Sequence, residues 1–476
     1  MPESLLLCAA RSSTTTTIGG PSQVSLEAGP SQDRVTIYTL PDDVLLQIFH
    51  FYRNHLKNGW HALVHVCQRW RSIVFASPRH LNLRLEYTGK RPMSEMLDVW
   101  PVLPVVIEYS KDRSSSYWGN VTGALESEHH HRICHIDLRY IPSSRWERLA
   151  AAMQKPFPEL TSLWFWADGN TVTSLPDSFL GGSAPLLRLL WLENCPVQGL
   201  PKLLLSANQL DSLNLWNIPH SGYISPQDLV TALSVMCRLE DLFLGFQSPL
   251  YPASRPPPVT RSVLPALREL VFRGVHEYLE DLLAQVEVPF LNTLEITFFM
   301  DPDVVLPQLH RLISHTKSFK TCDRATLRTV RFGNGIQFSI FGRKDGFLSL
   351  VIWSIEFLDW HSEVCGSTLP LLSNLVQLKI VDDALRWTDD MDTTRWLELL
   401  DPFIAVKDLW LSHQVGRHVC QALEELAEER VTEVSPALQN IFLKRLKPFK
   451  SVPKYIERFV AARKLSGHPV AVHRWG

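Results

Sequence analysis

The sequence lacks any uninterrupted apolar run of 18 residues, the least a membrane-crossing helix needs, so a chain of 476 residues with 45% apolar side chains is expected to fold in water. It lacks an excess of either charge. Forty-seven basic against 49 acidic side chains leave a net charge of −2, which provides no global field for holding nucleic acid. It also lacks any CxxC pair: the cysteines at Cys8, Cys67, Cys134, Cys195, Cys237, Cys322, Cys365 and Cys420 stand far apart. Zinc and dithiol chemistry are therefore not predicted, and a reducing, intracellular compartment, cytoplasmic or nuclear, is expected. No phosphate-binding glycine loop, no GxSxG and no HExxH occurs, so the sequence predicts neither catalysis nor a cofactor. Glu3 rather than a basic segment precedes LLLCAA, so no secretory signal is expected, and residues 1–34, with their STTTT tract, are expected to be disordered.

What is present starts at residues 39–52, TLPDDVLLQIFHFY. Pro41 suits a first helical position, where its missing N–H costs nothing, and Asp42 and Asp43 complement the positive end of the helix dipole. Val44, Leu45, Ile48, Phe49 and Tyr52 form one apolar stripe, while Leu40, Leu46 and Phe51 add apolar surface elsewhere. One face can pack inward and the rest needs another destination. A second helical pattern follows in WHALVHVCQRWRSIVFASP, with Leu63, Val66, Cys67, Trp70, Ile73 and Val74 at helical spacing until Pro78. Two or three short helices over residues 35–80 bury little surface by themselves, and a unit of about 40 residues usually needs a metal, a disulfide or a partner.

Leu40-Pro41, then Val44, Leu45, Ile48 and Phe49, then Val66-Cys67 with Trp70-Arg71, stand at roughly the spacing of an F-box, and residues 36–78 resemble that family. The resemblance implies docking on the Skp-type adaptor, and through it the cullin scaffold, of a ubiquitin ligase. It implies Leu40, Pro41, Leu45, Ile48, Phe49, Val66 and Trp70 as adaptor-binding residues. The segment RNHLKNGWHAL departs from the family's usual short turn between its helices.

From residue 131 onward apolar residues recur at positions 1, 4 and 6 of a unit, as in the L-x-x-L-x-L core of leucine-rich repeats. The triplets are Ile133-Ile136-Leu138, Leu160-Leu163-Phe165, Leu187-Leu190-Leu192, Leu210-Leu213-Leu215, Leu239-Leu242-Leu244 and Leu267-Leu270-Phe272. Five more follow: Leu291-Leu294-Ile296, Leu327-Val330-Phe332, Leu375-Leu378-Ile380, Val406-Leu409-Leu411 and Leu438-Ile441-Leu443. Their first positions are spaced 27, 27, 23, 29, 28, 24, 36, 48, 31 and 32 residues apart, against about 20–29 in ordinary repeats. The late repeats thus carry insertions, the largest over residues 333–374, whose FSIFGRKDGFLSLVIW reads as strands joined by a glycine-rich turn. Ser144 with Glu147 forms a candidate capping box, Ser225-Pro226 a second helix start, and the stretches beginning at Leu279 and Val415 carry helical spacing too. The expected fold class is α/β: a short N-terminal helical F-box, then a leucine-rich-repeat-like solenoid with a curved parallel sheet, outer helices and irregular late repeats. Residues 81–130, with LNLRLEY and LPVVIEY around a short helix, are expected to connect and cap, and residues 131–476 to form the solenoid with Val452, Ile456, Phe459 and Val460 packing a terminal helix.

If positions 1, 4 and 6 are buried, strand alternation turns positions 3, 5 and 7 to the opposite, concave face. Position 5 reads Asp137, Trp164, Trp191, Asn214, Phe243, Val271, Glu295, Arg331, Lys379, Trp410 and Phe442, and position 7 adds Trp166 and Trp216. Trp164, Trp166, Trp191, Trp216 and Phe243 are therefore expected to form one aromatic patch that receives a protein substrate, unless an insertion or the tail covers it. HHHRICH at 129–135, the aspartates Asp382, Asp383, Asp389, Asp390 and Asp392, and the basic run at 444–454 read as solvated segments rather than metal or phosphate sites. The functional expectation is a non-catalytic substrate receptor of a cullin-based ubiquitin ligase, with a ligase-independent repeat scaffold as the alternative.

Overall fold

A computed structural model describes residues 37–55, 59–98, 100–109, 114–169, 173–197, 200–248, 261–299, 306–329, 335–342, 346–353, 371–381, 392–426, 430–444 and 454–475. Residues 1–34, Cys365, Val330 to Phe332, Val452, four of the five aspartates (Asp382, Asp383, Asp389 and Asp390) and most of the basic run at 444–454 lie outside them. The chain divides into two compact units with the boundary after Asn82. Among the described residues no helix is long and apolar enough to cross a membrane.

The first unit holds helices α1 (Asp42–His55), α2 (Gly59–Val64) and α3 (Gln68–Ala76). Asp42 does more than face a helix dipole: Arg69 of α3 grips its carboxylate at 2.6 Å and also donates to the Leu40 carbonyl at 2.6 Å. Cys67 caps α3, its sulfur accepting from the Trp70 backbone N–H. Leu45 and Phe49 are wholly buried, with Phe49 against the Trp70 ring at 4.7 Å.

Among the described residues the second unit is built on one sixteen-stranded sheet. Its strands are β1 (Leu85–Tyr87), β2 (Val105–Ile107), β3 (Ile133–Pro142), β4 (Ser162–Asp168), β5 (Leu189–Glu193), β6 (Ser212–Ile218), β7 (Asp241–Phe246), β9 (Glu269–Gly274) and β11 (Thr293–Phe298), followed by β12 (Cys322–Thr329), β13 (Gly335–Gly342), β14 (Phe347–Trp353), β15 (Gln377–Val381), β16 (Asp408–Leu411), β17 (Asn440–Lys444) and β18 (Ala471–Trp475). Two short strands, β8 (Ser262–Val263) and β10 (Val286–Glu287), pair separately. Neighbouring strands run parallel from β1 to β11 and again from β15 to β18. Most crossovers carry a helix, among them Ser143–Ala152, Pro226–Leu233, His276–Gln285, Pro307–His315, Thr393–Leu400, His413–Glu425 and Glu457–Leu465.

Ten of the eleven apolar triplets are buried at all three positions. Positions 4 and 6 pair in register from strand to strand, as in Ile136 with Leu163, Leu163 with Leu190 and Leu190 with Leu213. Each strand thus turns its apolar side to the layer of helices, where Trp146 meets Phe165 at 4.8 Å. At about 25 cal/mol per Å² of apolar surface withdrawn from water, this shared layer is the main source of stability.

Of the eleventh, Leu327-Val330-Phe332, only Leu327 is described, and it is buried. Strand β12 ends before Val330, and it is Ala325 and Leu327 that pair with Leu378 and Ile380. The buried triplet of this strand is therefore Cys322, Ala325 and Leu327, and the small side chains of Cys322 and Ala325 hid it from an apolar scan. The described part of the longest spacing is filled by strands. Strands β12, β13 and β14 form an antiparallel meander inserted whole into the sheet, in the order β11, β14, β13, β12, β15. The strands read in FSIFGRKDGFLSLVIW are β13 and β14, and they extend the sheet.

Other expectations also need correction. The helix after β3 begins at Ser143 behind Pro142 with no side-chain cap, so Ser144 and Glu147 do not form a capping box. Ser225 does cap its helix, accepting from the Asp228 N–H at 3.1 Å with Pro226 in the first turn. The stretch beginning at Leu279 keeps its helical spacing only as far as Gln285, and Val286 opens β10. The terminal HPVAVHRW supplies β18, a strand of the main sheet, and the last helix is held by a group no apolar pattern shows. Arg463 is fully buried and donates to the carbonyls of Val431, Pro436 and Leu438, which offsets part of the cost of burying a cation.

Candidate functional site: the sheet face opposite the helices

Because side chains alternate along each strand, residues at positions 3, 5 and 7 point away from the helix layer. The register joins them into rows that cross the sheet. The position-5 row runs Asp137, Trp164, Trp191, Asn214, Phe243, Val271 and Glu295. It continues through Ser349, Ser339 and Thr326 of the meander to Lys379, Trp410, Phe442 and His473. Thr326 thus holds the place the sequence assigned to Arg331, which lies outside the described residues.

At the β3–β5 end, Trp164 and Trp191 stack with centroids 4.3 Å apart and planes at 18°. The guanidinium of Arg139 lies 4.9 Å over the Trp164 ring while its nitrogens bind both oxygens of Asp137 at 2.8 Å. That bond is the main reason Arg139 holds its proton more tightly than usual. Trp166 turns to Tyr140, 4.0 Å away. Trp216 lies over the next strand, where a Cβ on Gly245 would come within 2.6 Å of its indole. Asn214 separates Trp191 from Phe243 in the row. The five aromatics expected as one patch therefore share a face and are half-buried, but only Trp164 and Trp191 stack on each other.

The opposite end carries a second ladder, which sequence reasoning did not single out although Trp410 and Phe442 fell in its row. Trp410 stacks on Phe442 at 3.9 Å and 9°, and Phe442 on His473 at 4.9 Å. Trp475 meets Trp410 edge-on, and the ammonium groups of Lys379 and Lys444 lie 4.5 and 5.4 Å from its ring. The signal that could have revealed it was the apolar alternation of VAVHRW in the last strand.

Between the ladders the face is acidic. Asp241 and Glu269 are paired in register on β7 and β9, and Glu295 stands one strand further and two residues along. Burial raises the affinity of all three carboxyls for a proton; Glu240 and Asp211 add to this at Asp241, and Asp241 and Glu295 add to it at Glu269. Glu193, raised by burial as well, accepts from the Trp191 indole N–H at 3.2 Å. Asn214 is 3% exposed, and its Oδ1 has no hydrogen-bond partner.

On α1 in the first unit, Leu45 and Phe49, expected at an adaptor contact, are core residues with no surface to offer. Pro41, Ile48 and Val66 are exposed, and Leu40 and Trp70 are half-buried. The same helix also exposes Val44, Tyr52 and Phe51, the last at 67%. Among the described residues no group of three His, Cys, Asp or Glu side chains is placed to hold a metal ion. Cys195 is buried and donates to backbone carbonyls of Phe165 and Glu193, and burial pushes its thiol pKa up.

No protein-family profile matches the chain, and no curated protein matches it. Among solved structures it is similar to the leucine-rich repeat-containing protein LegL7 from Legionella pneumophila, at 13% identity and a TM-score of 0.27, over 81% of this chain and 98% of that one.

Proposed function

We propose that this chain is a non-catalytic substrate receptor: its leucine-rich-repeat-like sheet face holds a protein, and its F-box-like helices present that protein to a cullin-based ubiquitin ligase through a Skp-type adaptor. The observation that carries the reading is the position-5 row, in which large aromatics and charges stand half-buried on the face that the chain's own helices leave uncovered. Rings of this kind are the usual anchors of protein interfaces. Docking is supported by the divided surface of α1, which buries Leu45 and Phe49 and leaves Val44, Ile48, Phe51 and Tyr52 outward. The mechanism is proximity: holding a substrate near a ubiquitin-charged enzyme raises the local concentration of its lysines.

One observation favours the alternative of a ligase-independent scaffold, namely that two of the seven residues the resemblance assigns to the adaptor contact are core. Co-purification with a purified Skp-type adaptor separates the two. Binding by the wild type and its loss in Ile48→Lys with Val66→Lys, both surface changes that leave the fold intact, is the expected result. Absence of wild-type binding leaves the scaffold reading.

A further inference from the structure

The centre of the sheet face differs from its ends in what its charges have to bind. We infer that Asp241, Glu269 and Glu295, with Asn214 and Phe243 beside them, form the seat for a lysine- or arginine-bearing segment of the captured protein. The inference deepens the proposed function and rests on it for the existence of a protein ligand on this face.

Four observations converge. Asp241, Glu269 and Glu295 lie on three consecutive strands of the sheet, which at about 4.8 Å per strand spread negative charge over roughly 10 Å. Among the described residues no basic side chain forms an ion pair with any of the three. Arg273 of β9, on this face, turns elsewhere: its guanidinium lies 5.2 Å from the Phe299 ring and reaches Asn217 Oδ1 at 3.5 Å. Arg188 and Arg238 are both occupied by Asp211.

The second observation is independent of charge. Asn214 points to the same face, because Leu213 and Leu215 on either side of it are buried toward the helices, yet its Oδ1 is sealed from water without a donor. Leaving a buried amide oxygen unpaired costs about 1–3 kcal/mol. A guanidinium, an ammonium or a peptide N–H laid along the row supplies the missing donor once the side chains covering the oxygen move aside.

Third, the carboxylates do not converge: no group of three is placed to hold a metal ion among the described residues. A metal needs its ligands around one point, whereas a polypeptide delivers cations along a line. Fourth, the row provides rings beside the acids, Phe243 in register with Val271 and Trp191 two strands away. Flat cationic groups stack on such faces while pairing with carboxylates, a combination that favours arginine over lysine.

The test titrates the full chain, at physiological ionic strength, with three fluorescent peptide pools of equal length: one enriched in arginine and lysine, one neutral, one enriched in aspartate and glutamate. The basic pool is expected to bind roughly tenfold tighter than the neutral one. That preference should vanish in Asp241→Asn/Glu269→Gln/Glu295→Gln and persist in Glu147→Gln/Glu398→Gln, which removes two exposed acids on helices. Equal binding of all pools, or a basic preference retained by the triple variant, overturns the inference. If the neutral pool binds as well as the basic one and is lost in Trp164→Ala/Trp191→Ala, capture on the sheet face stands and only the cationic preference fails. Calcium chloride alone shifting the thermal transition of the wild type but not of the triple variant assigns the cluster to a metal ion and likewise overturns it. So does a single-stranded oligonucleotide outcompeting the basic pool.

Discussion

The two ends of the sheet face and its centre use one row of one sheet in opposite ways. At the β3–β5 end, Arg139 stacks on Trp164 and pairs with Asp137; at the β16–β18 end, Lys379 and Lys444 lie against Trp475. Each end supplies its own cations. The centre supplies carboxylates and a buried amide and answers neither. Unmatched, half-buried charges weaken the folded chain unless another molecule completes them.

The strongest way to break this contrast is at Gly245, beneath Trp216. A valine there pushes a Cβ to 2.6 Å from the indole, and Gly245→Val should cost about 3 kcal/mol in a denaturant titration. The Trp216 emission should shift as the ring leaves the centre, while the two ladders stay in place. Trp410→Ala attacks the self-contained end, where the ring stacks on Phe442 and meets Trp475. A loss of about 2 kcal/mol is expected, without change in partner capture at the centre.

Neutralising the centre should act in the other direction. Asp241, Glu269 and Glu295 have carboxyl pKa values raised on folding, chiefly by burial. The folded state then binds more protons than the unfolded one between the ordinary carboxyl pKa and the raised value, so stability falls as pH rises through that window. Above it the three charges are a standing cost. Asp241→Asn/Glu269→Gln/Glu295→Gln should therefore melt higher than wild type at neutral pH and show a flatter stability profile across the carboxylate range. A lower melting temperature would mean the acids are already compensated within the chain. The smallest effect is predicted at Lys379→Gln, where removing one cation from the Trp475 face should cost about 0.5 kcal/mol and leave melting of the centre variants unchanged.

Much of this face was legible in the residues. Apolar side chains at positions 1, 4 and 6 dictate which side of each strand must leave water, and Trp164, Trp191, Trp410 and Glu295 follow on the other side without further information. Other features are fixed only by packing between distant segments. Cys322 and Ala325 are too small to announce a buried strand, yet the register with β15 makes them one. Leu45 and Phe49 look the same in sequence as Ile48, and only the packing of Trp70 and its neighbours separates core from surface.

The alternation of apolar and polar residues, a local property with a period of two, determined by itself that a face exists and which side chains it carries. Which of them became neighbours was decided by the tertiary structure. Stacking Trp164 on Trp191, laying Trp216 over Gly245, inserting a reversed meander between β11 and β15, and aligning Asp241 with Glu269 all depend on pairing between strands tens of residues apart. Register is a non-local choice, set by how the buried sides interlock against the helices, and the outer face inherits it.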